Sequence, residues 1–262
     1  MIVLLRTAVT VGVTAIMLQA APAGAAEQRP SPKDLSAFFA EVAFGAEYLE
    51  KGSPVIQKWL EPIRINVSAI GGRLLDKPGG GKELKLERVS PKPEQINLIR
   101  KQMRTLLGLT GVKSESAKTA GKQTNYFIKF VPRLAMHAPF LVKGVDPALL
   151  KKLAAPGVCY FLTAAVKGSI NLATIVFNNE LAPDAMDACL LEEITQTLGL
   201  VNDSDKIKPS VFNNRAAPRE LNRIDIILIK TLYDNRLPPG MVKKQALRRV
   251  DKIVAELDKK MP

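Results

Sequence analysis

Residues Leu191 to Asp205 hold the densest group of side chains able to do chemistry together. Glu192 and Gln196 stand four residues apart, so on a helix they share one face and aim oxygen atoms at a common point. Glu193 directly follows the first of them, where a carboxylate can take a proton from a water held by its neighbours. Gly199 is a natural reversal point after such a helix, and Asn202 and Asp203 bring further oxygen donors back to it. Glu192, Gln196 and Asn202, or Asp203 in the last place, would then form an all-oxygen ligand set with Glu193 as general base, the parts of a metal-assisted hydrolase. Such donors suit calcium, magnesium or manganese better than zinc, which favours nitrogen and sulfur. One firm carboxylate and two neutral amides would hold a divalent cation weakly. The whole chain has a single histidine, His137, so a three-histidine zinc site is excluded. The rival reading needs no cofactor: the same groups hydrogen-bond to one another across the metal position, with Ser210 or Asn213 completing the set.

These residues need a helix, and the spacing predicts one over Ala182–Leu198. Two β-rich runs precede it, Val158–Val166 and Ile170–Phe177, joined as a hairpin through Lys167-Gly168-Ser169. Cys159 and Cys189 are the only cysteines. They read either as a disulfide closing a loop of about 30 residues, worth roughly 3 kcal/mol, or as two small buried apolar residues. A bridge would pin the start of the site helix to an upstream strand. Further elements are predicted around this centre. A helix from Ser31-Pro32 to about Glu50 buries Leu35, Phe38, Phe39, Val42 and Ala46, and Ile63–Ile70 alternates like a half-buried strand. Residues 71–92 read as a glycine- and lysine-rich connection. A second amphipathic helix spans Pro93–Leu107, a strand Thr124–Val131, a short helix Asp146–Leu153, and a last helix Gly240–Lys260 with a basic outer face.

Composition narrows the function classes. An apolar stretch from Ile2 to Leu18, followed by Ala23-Gly24-Ala25, reads as a secretory signal peptide over residues 1–26, leaving 27–262 as one domain with an N-terminal helical extension and a C-terminal helix. A periplasmic or secreted location follows, where a disulfide can persist. The net charge of +13 is compatible with anionic lipid or wall polymer as a neighbour. The lysines are spread along the chain rather than clustered with aromatics, so nucleic acid is not expected.

The order of these residues carries a family resemblance. Glu192-Glu193-x-x-Gln196-x-x-Gly199-x-x-Asn202 resembles the zinc-binding helix of metzincin peptidases with the histidines replaced. Pro209–Asn213 resembles their Met-turn, with Phe212 at the methionine place, and Leu221–Tyr233 resembles their C-terminal helix. More closely, Cys189, Glu192-Glu193, Gln196, Gly199-Leu200, Asn202-Asp203, Ser210, Phe212-Asn213, Leu232-Tyr233-Asp234 and Pro239-Gly240-Met241 resemble DUF2927, an uncharacterised bacterial envelope family. The resemblance is specific from Val158 to Met241 and implies an α+β, zincin-like fold: a mixed sheet, a backing helix, an active-site-type helix and a C-terminal helix. Gly199, Asp203, Ser210 and Phe212 become turn and scaffold residues. The function expected is a non-catalytic envelope protein taking a peptide or protein partner in a cleft beside an edge strand, placed at Ala173–Asn178. The alternative is the oxygen-ligated hydrolase with Glu193 as base.

Overall fold

The computed structural model describes residues 29–45, 52–213 and 217–261. The expected signal peptide over residues 1–26 lies outside the described residues, as does the stretch from Ala46 to Lys51 into which the first helix is expected to run. The chain folds as α+β, with a mixed six-stranded sheet and, among the described residues, seven α-helices.

Helix α1 (Pro32–Phe44) starts where local chemistry favours a start. Ser31 Oγ accepts from the Asp34 amide at 3.2 Å, and the Asp34 carboxylate accepts from the Ser31 amide at 3.0 Å, while Pro32 occupies the first turn. The helix buries Leu35, Phe38, Phe39 and Val42 completely. These side chains belong to the main core.

Strand β1 (Lys58–Trp59) is short, and β2 (Ile65–Asp76) is long. Here the structure departs from the expected connection over 71–92. Strand β2 runs on to Asp76 and folds back as β3 (Lys82–Val89), in antiparallel register from Ala69↔Val89 to Asp76↔Lys82. The turn is carried by Gly79, Gly80 and Gly81, all at positive φ. Composition read this arm as loop because glycine and lysine are poor strand formers. Pairing across the hairpin, with Leu84 and Leu86 packed against the core, outweighs that preference.

Helices α2 (Pro93–Thr110) and α3 (Ala117–Ala120) lead to strand β4 (Tyr126–Val131). Helix α4 (Pro147–Ala154) precedes the hairpin of β5 (Cys159–Val166) and β6 (Ser169–Asn178). Both turn residues, Lys167 and Gly168, have positive φ, as a tight two-residue hairpin requires. A side chain at Gly168 would meet the backbone of Gly240 at 2.1 Å. Helices α5 (Pro183–Gln196), α6 (Arg223–Leu232) and α7 (Lys243–Lys260) complete the chain.

Strands β2, β4 and β6 are parallel neighbours, and antiparallel β3 and β5 form the two margins. Strand β1 pairs with Ser169 and Ile170 at the start of β6. The expected edge at Ala173–Asn178 is thus corrected. Those residues belong to β6, which lies between β4 and β5, and the edge strand is β5. The near-continuous burial of β6 from Ala173 to Asn178 is the mark of a central strand covered on both faces. One face packs under α1, α2, α5, α6 and α7 through Ile128, Phe130, Ile175 and Phe177. The other packs Val131, Tyr160 and Val176 against Leu150 and Leu153 of α4. Among the described residues no helix is long and apolar enough to cross a membrane.

Candidate functional site

Helix α5 is almost wholly buried, yet one stripe of it reaches open space. Ala185, Ala188, Cys189, Glu192 and Gln196 recur at helical spacing and line a cleft of 690 Å³. The opposite wall is β5, from Cys159 to Ala165. Among the described residues β5 pairs only with β6, so its other edge presents unpaired backbone groups toward the cleft. Cys159 and Cys189 form a disulfide with Cα atoms 6.5 Å apart. The bridge ties β5 directly to α5, setting the separation of the two walls.

The chain reverses at the end of α5 through Gly199, at φ +116°. A Cβ there would lie 2.0 Å from the Gln57 carbonyl oxygen, so glycine is required both for conformation and for space. The reversal brings Asp203 back to the helix. The buried Gln196 side chain donates from Nε2 to Asp203 Oδ1 at 2.6 Å. Asn202 goes elsewhere: its Nδ2 donates to the Asp203 carbonyl at 2.6 Å, and its backbone amide donates to the Val42 carbonyl of α1 at 3.1 Å. Its side chain lies so close to Gly45 that a Cβ on that residue would sit 2.4 Å from Nδ2. The structure therefore joins Gln196 to Asp203, while Asn202 staples the turn to α1. Glu192 is half-buried and lines the cleft. Glu193 is buried at 6% exposure and also borders the cleft. A carboxylate oxygen of Glu193 and the sulfurs of Cys159 and Cys189 lie within 4.8 Å of one another.

The expected scaffold residues sit one layer behind. Ser210 Oγ donates to Asp225 Oδ1 at 2.7 Å, the Val211 amide donates to the same oxygen at 3.1 Å, and Ser210 Oγ accepts from the Phe212 amide. Phe212 is fully buried with its ring edge-on to Phe38 of α1, centroids 6.4 Å apart. Asn213 donates to the Ser204 and Ile207 carbonyls within this loop. Asp225, at the third position of α6, is the hub that sequence reasoning missed. It also closes a capping box with Asn222, and burial pushes its carboxyl up to about 6. The pattern Asn222-x-x-Asp225 at a helix start was the available signal.

A second set missed from sequence caps the end of α5. Trp59 Nε1 donates to the Thr197 carbonyl at 2.9 Å, and Tyr233 Oη donates to the Leu198 carbonyl at 2.9 Å. Thr197 Oγ1 donates to the Ile194 carbonyl, so at its 2.6 Å contact with Tyr126 Oη the phenol is the donor. Burial, with a smaller contribution from the Glu193 charge, pushes the Tyr126 phenol well up, so it remains a donor. Lys58 caps α6 in the same way through the Leu232 and Asp234 carbonyls, and burial pushes its ammonium down to about 8.

The donor set does not fit zinc. Glu192, Gln196 and Asp203 offer oxygen atoms only, and the Gln196 amide hydrogen is turned toward Asp203. The sulfur atoms close to Glu193 are both committed to the disulfide.

With the cleft, the α5 stripe and the Ser210 turn in place, comparison with known proteins is informative. A family model described as a protein of unknown function, DUF2927, matches residues 32–252. The chain belongs to the DUF2927 family. The DUF2927 match extends upstream of the Val158–Met241 stretch that carries the sequence resemblance, taking in α1 and β2. That extent agrees with the packing, since α1 supplies Phe38 to the core and the Val42 carbonyl to the site turn. No curated protein and no solved structure matches this DUF2927 chain.

Proposed function

We propose that the chain is an exported, zincin-like protein that binds an extended peptide or protein segment in the cell envelope and has no zinc peptidase activity. The observation that carries this reading is the 690 Å³ cleft between the outer edge of β5 and the stripe of α5 that lines it. An unpaired strand edge beside a groove is the geometry that accepts an extended chain by strand addition. The zincin-like likeness is supported by an antiparallel edge strand next to the helix bearing Glu192-Glu193-x-x-Gln196, by the Gly199 reversal, and by the buried turn at Ser210–Phe212. Export is supported by the Cys159–Cys189 disulfide together with the apolar leader sequence. The absence of zinc chemistry is supported by the Gln196–Asp203 hydrogen bond, which cross-links helix and turn directly. One observation favours the hydrolase alternative, namely that Glu193 borders the cleft next to Glu192.

The test is calorimetric titration of the full chain with an acetylated octapeptide of alternating leucine and lysine. Two further versions carry N-methyl groups on one or the other set of alternate amides. Strand addition predicts that one methylated set weakens binding by roughly ten-fold or more and the other does not. Mass spectrometry after incubation should recover the peptide intact, with or without a chelator. Equal binding of all three versions would contradict strand addition, and cleavage that a chelator abolishes would favour the hydrolase.

A further inference from the structure

Among the described residues, one group of three side chains drawn from His, Cys, Asp and Glu brings its donor atoms within 4.8 Å of one another: Cys159, Cys189 and Glu193. It sits about one turn earlier on α5 than the pair Glu192 and Gln196 expected from sequence. Cys189 and Glu193 stand four residues apart on α5, so they share one face of the helix. Cys159 opens β5 on the facing wall, and all three residues line the cleft. Cys189 and Glu193 are buried, and Cys159 is half-buried. The disulfide commits both sulfurs, so in the bridged chain this group holds no metal. That commitment ends on reduction.

We propose that, with the Cys159–Cys189 bridge opened, the two sulfurs and the Glu193 carboxylate bind a thiophilic divalent cation, zinc first among them. Zinc bonds of about 2.3 Å to sulfur and about 2.0 Å to oxygen place tetrahedral ligand atoms roughly 3.5–3.8 Å apart. The three donor atoms already lie within 4.8 Å of one another, and the cysteine Cα atoms are 6.5 Å apart. Side-chain rotation therefore brings them to a common ion with little movement of β5 against α5. Thiolate ligands select zinc, cadmium or cobalt over calcium and magnesium. Three protein ligands leave the fourth position to water from the cleft that they line. Each thiol loses its proton to bind, so one ion displaces two protons. Metal and disulfide exclude each other, because both use the same two sulfurs. Either one ties β5 to α5, so the cation takes over the mechanical role of the bridge in the reduced chain. That state exists before the bridge first closes.

The test opens the bridge of the full chain with a water-soluble phosphine. The disulfide takes two electrons from phosphorus and two protons from water, giving two thiols, and the phosphine leaves as its oxide. The reduced chain is then titrated with cobalt(II) under argon. The expected result is thiolate-to-cobalt charge-transfer absorption that saturates at one ion per chain and is displaced by one equivalent of zinc. The bridged chain should give no such band, and neither should the Cys159→Ser/Cys189→Ser variant. Zinc should raise the melting temperature of the reduced chain and leave that of the bridged chain unchanged. Glu193→Gln should keep the charge-transfer band but weaken zinc binding by about ten-fold or more. Gln196→Ala should bind cobalt as the unaltered chain does, since Gln196 is outside this site. Absence of the band in a reduced chain with native circular dichroism would overturn the proposal. If reduction unfolds the chain, one equivalent of zinc should restore the dichroism, and failure to do so counts equally against it. Unchanged zinc affinity in Glu193→Gln would overturn the three-ligand site. No arm involves peptide, so the outcome is independent of the strand-addition reading.

Discussion

The decisive contact at the site is between two side chains, Gln196 and Asp203, 2.6 Å apart. The Gln196 amide brings its own hydrogen atoms, so it bonds the returning turn without a cation. Protein purified without chelator is accordingly expected to hold no stoichiometric zinc by elemental analysis, and a chelator should leave its melting temperature unchanged. Gly199 is the most exacting single position. Gly199→Ala combines a backbone at φ +116° with a Cβ placed 2.0 Å from a carbonyl oxygen. A loss of about 2–4 kcal/mol in denaturant unfolding is expected, measured as a lower midpoint. Asp225 adds a pH signature. Its folded pKa is raised to about 6 from 3.8, so the stability it contributes is fully present below the unfolded value and is lost as pH rises through about 6. Unfolding free energy followed from pH 4 to 7 should fall over that window, and Asp225→Asn should flatten the fall. Of these residues Gln196, Gly199 and Asp203 were readable from spacing. Asn202 was singled out by the same spacing, but its backbone amide bonds the Val42 carbonyl some 160 positions earlier, a contact no local pattern encodes.

Elements with strong local signals stand where the sequence reading puts them. The Ser31/Asp34 capping box starts α1, and Lys167-Gly168 turns the β5–β6 hairpin. The amphipathic periods of α2 and α7 match their buried stripes. Strand order was the illegible part. Which strand lies at the margin depends on pairings among β2, β4 and β6 that are far apart in sequence, and these placed β5 outside. The unbroken apolar run Ile175-Val176-Phe177 was a usable clue to a central strand, since an edge strand more often alternates. The β2–β3 arm was hidden for another reason: its stability comes from cross-strand pairing rather than from residue preference. Helix α1 supports the site from behind, with Phe38 against Phe212. Phe38→Ala should therefore cost about 3–5 kcal/mol in unfolding free energy, and it should weaken peptide binding by loosening the turn that carries Asp203.

Among the described residues, the sheet is covered on both faces and open along two margins. One margin, β3, belongs to a charged hairpin arm, where exposed lysine and arginine discourage further pairing. The other, β5, borders a groove held at fixed width by the Cys159–Cys189 bridge. Removing that bridge with the Cys159→Ser/Cys189→Ser pair should lower stability by about 3 kcal/mol. The most direct measurement of the account is hydrogen exchange of the full chain with and without the alternating leucine–lysine octapeptide. Slowed exchange in Cys159–Val166, beyond what the β6 pairing already protects, is the predicted result. Saturating peptide that leaves β5 exchange unaltered while protecting another surface would contradict it.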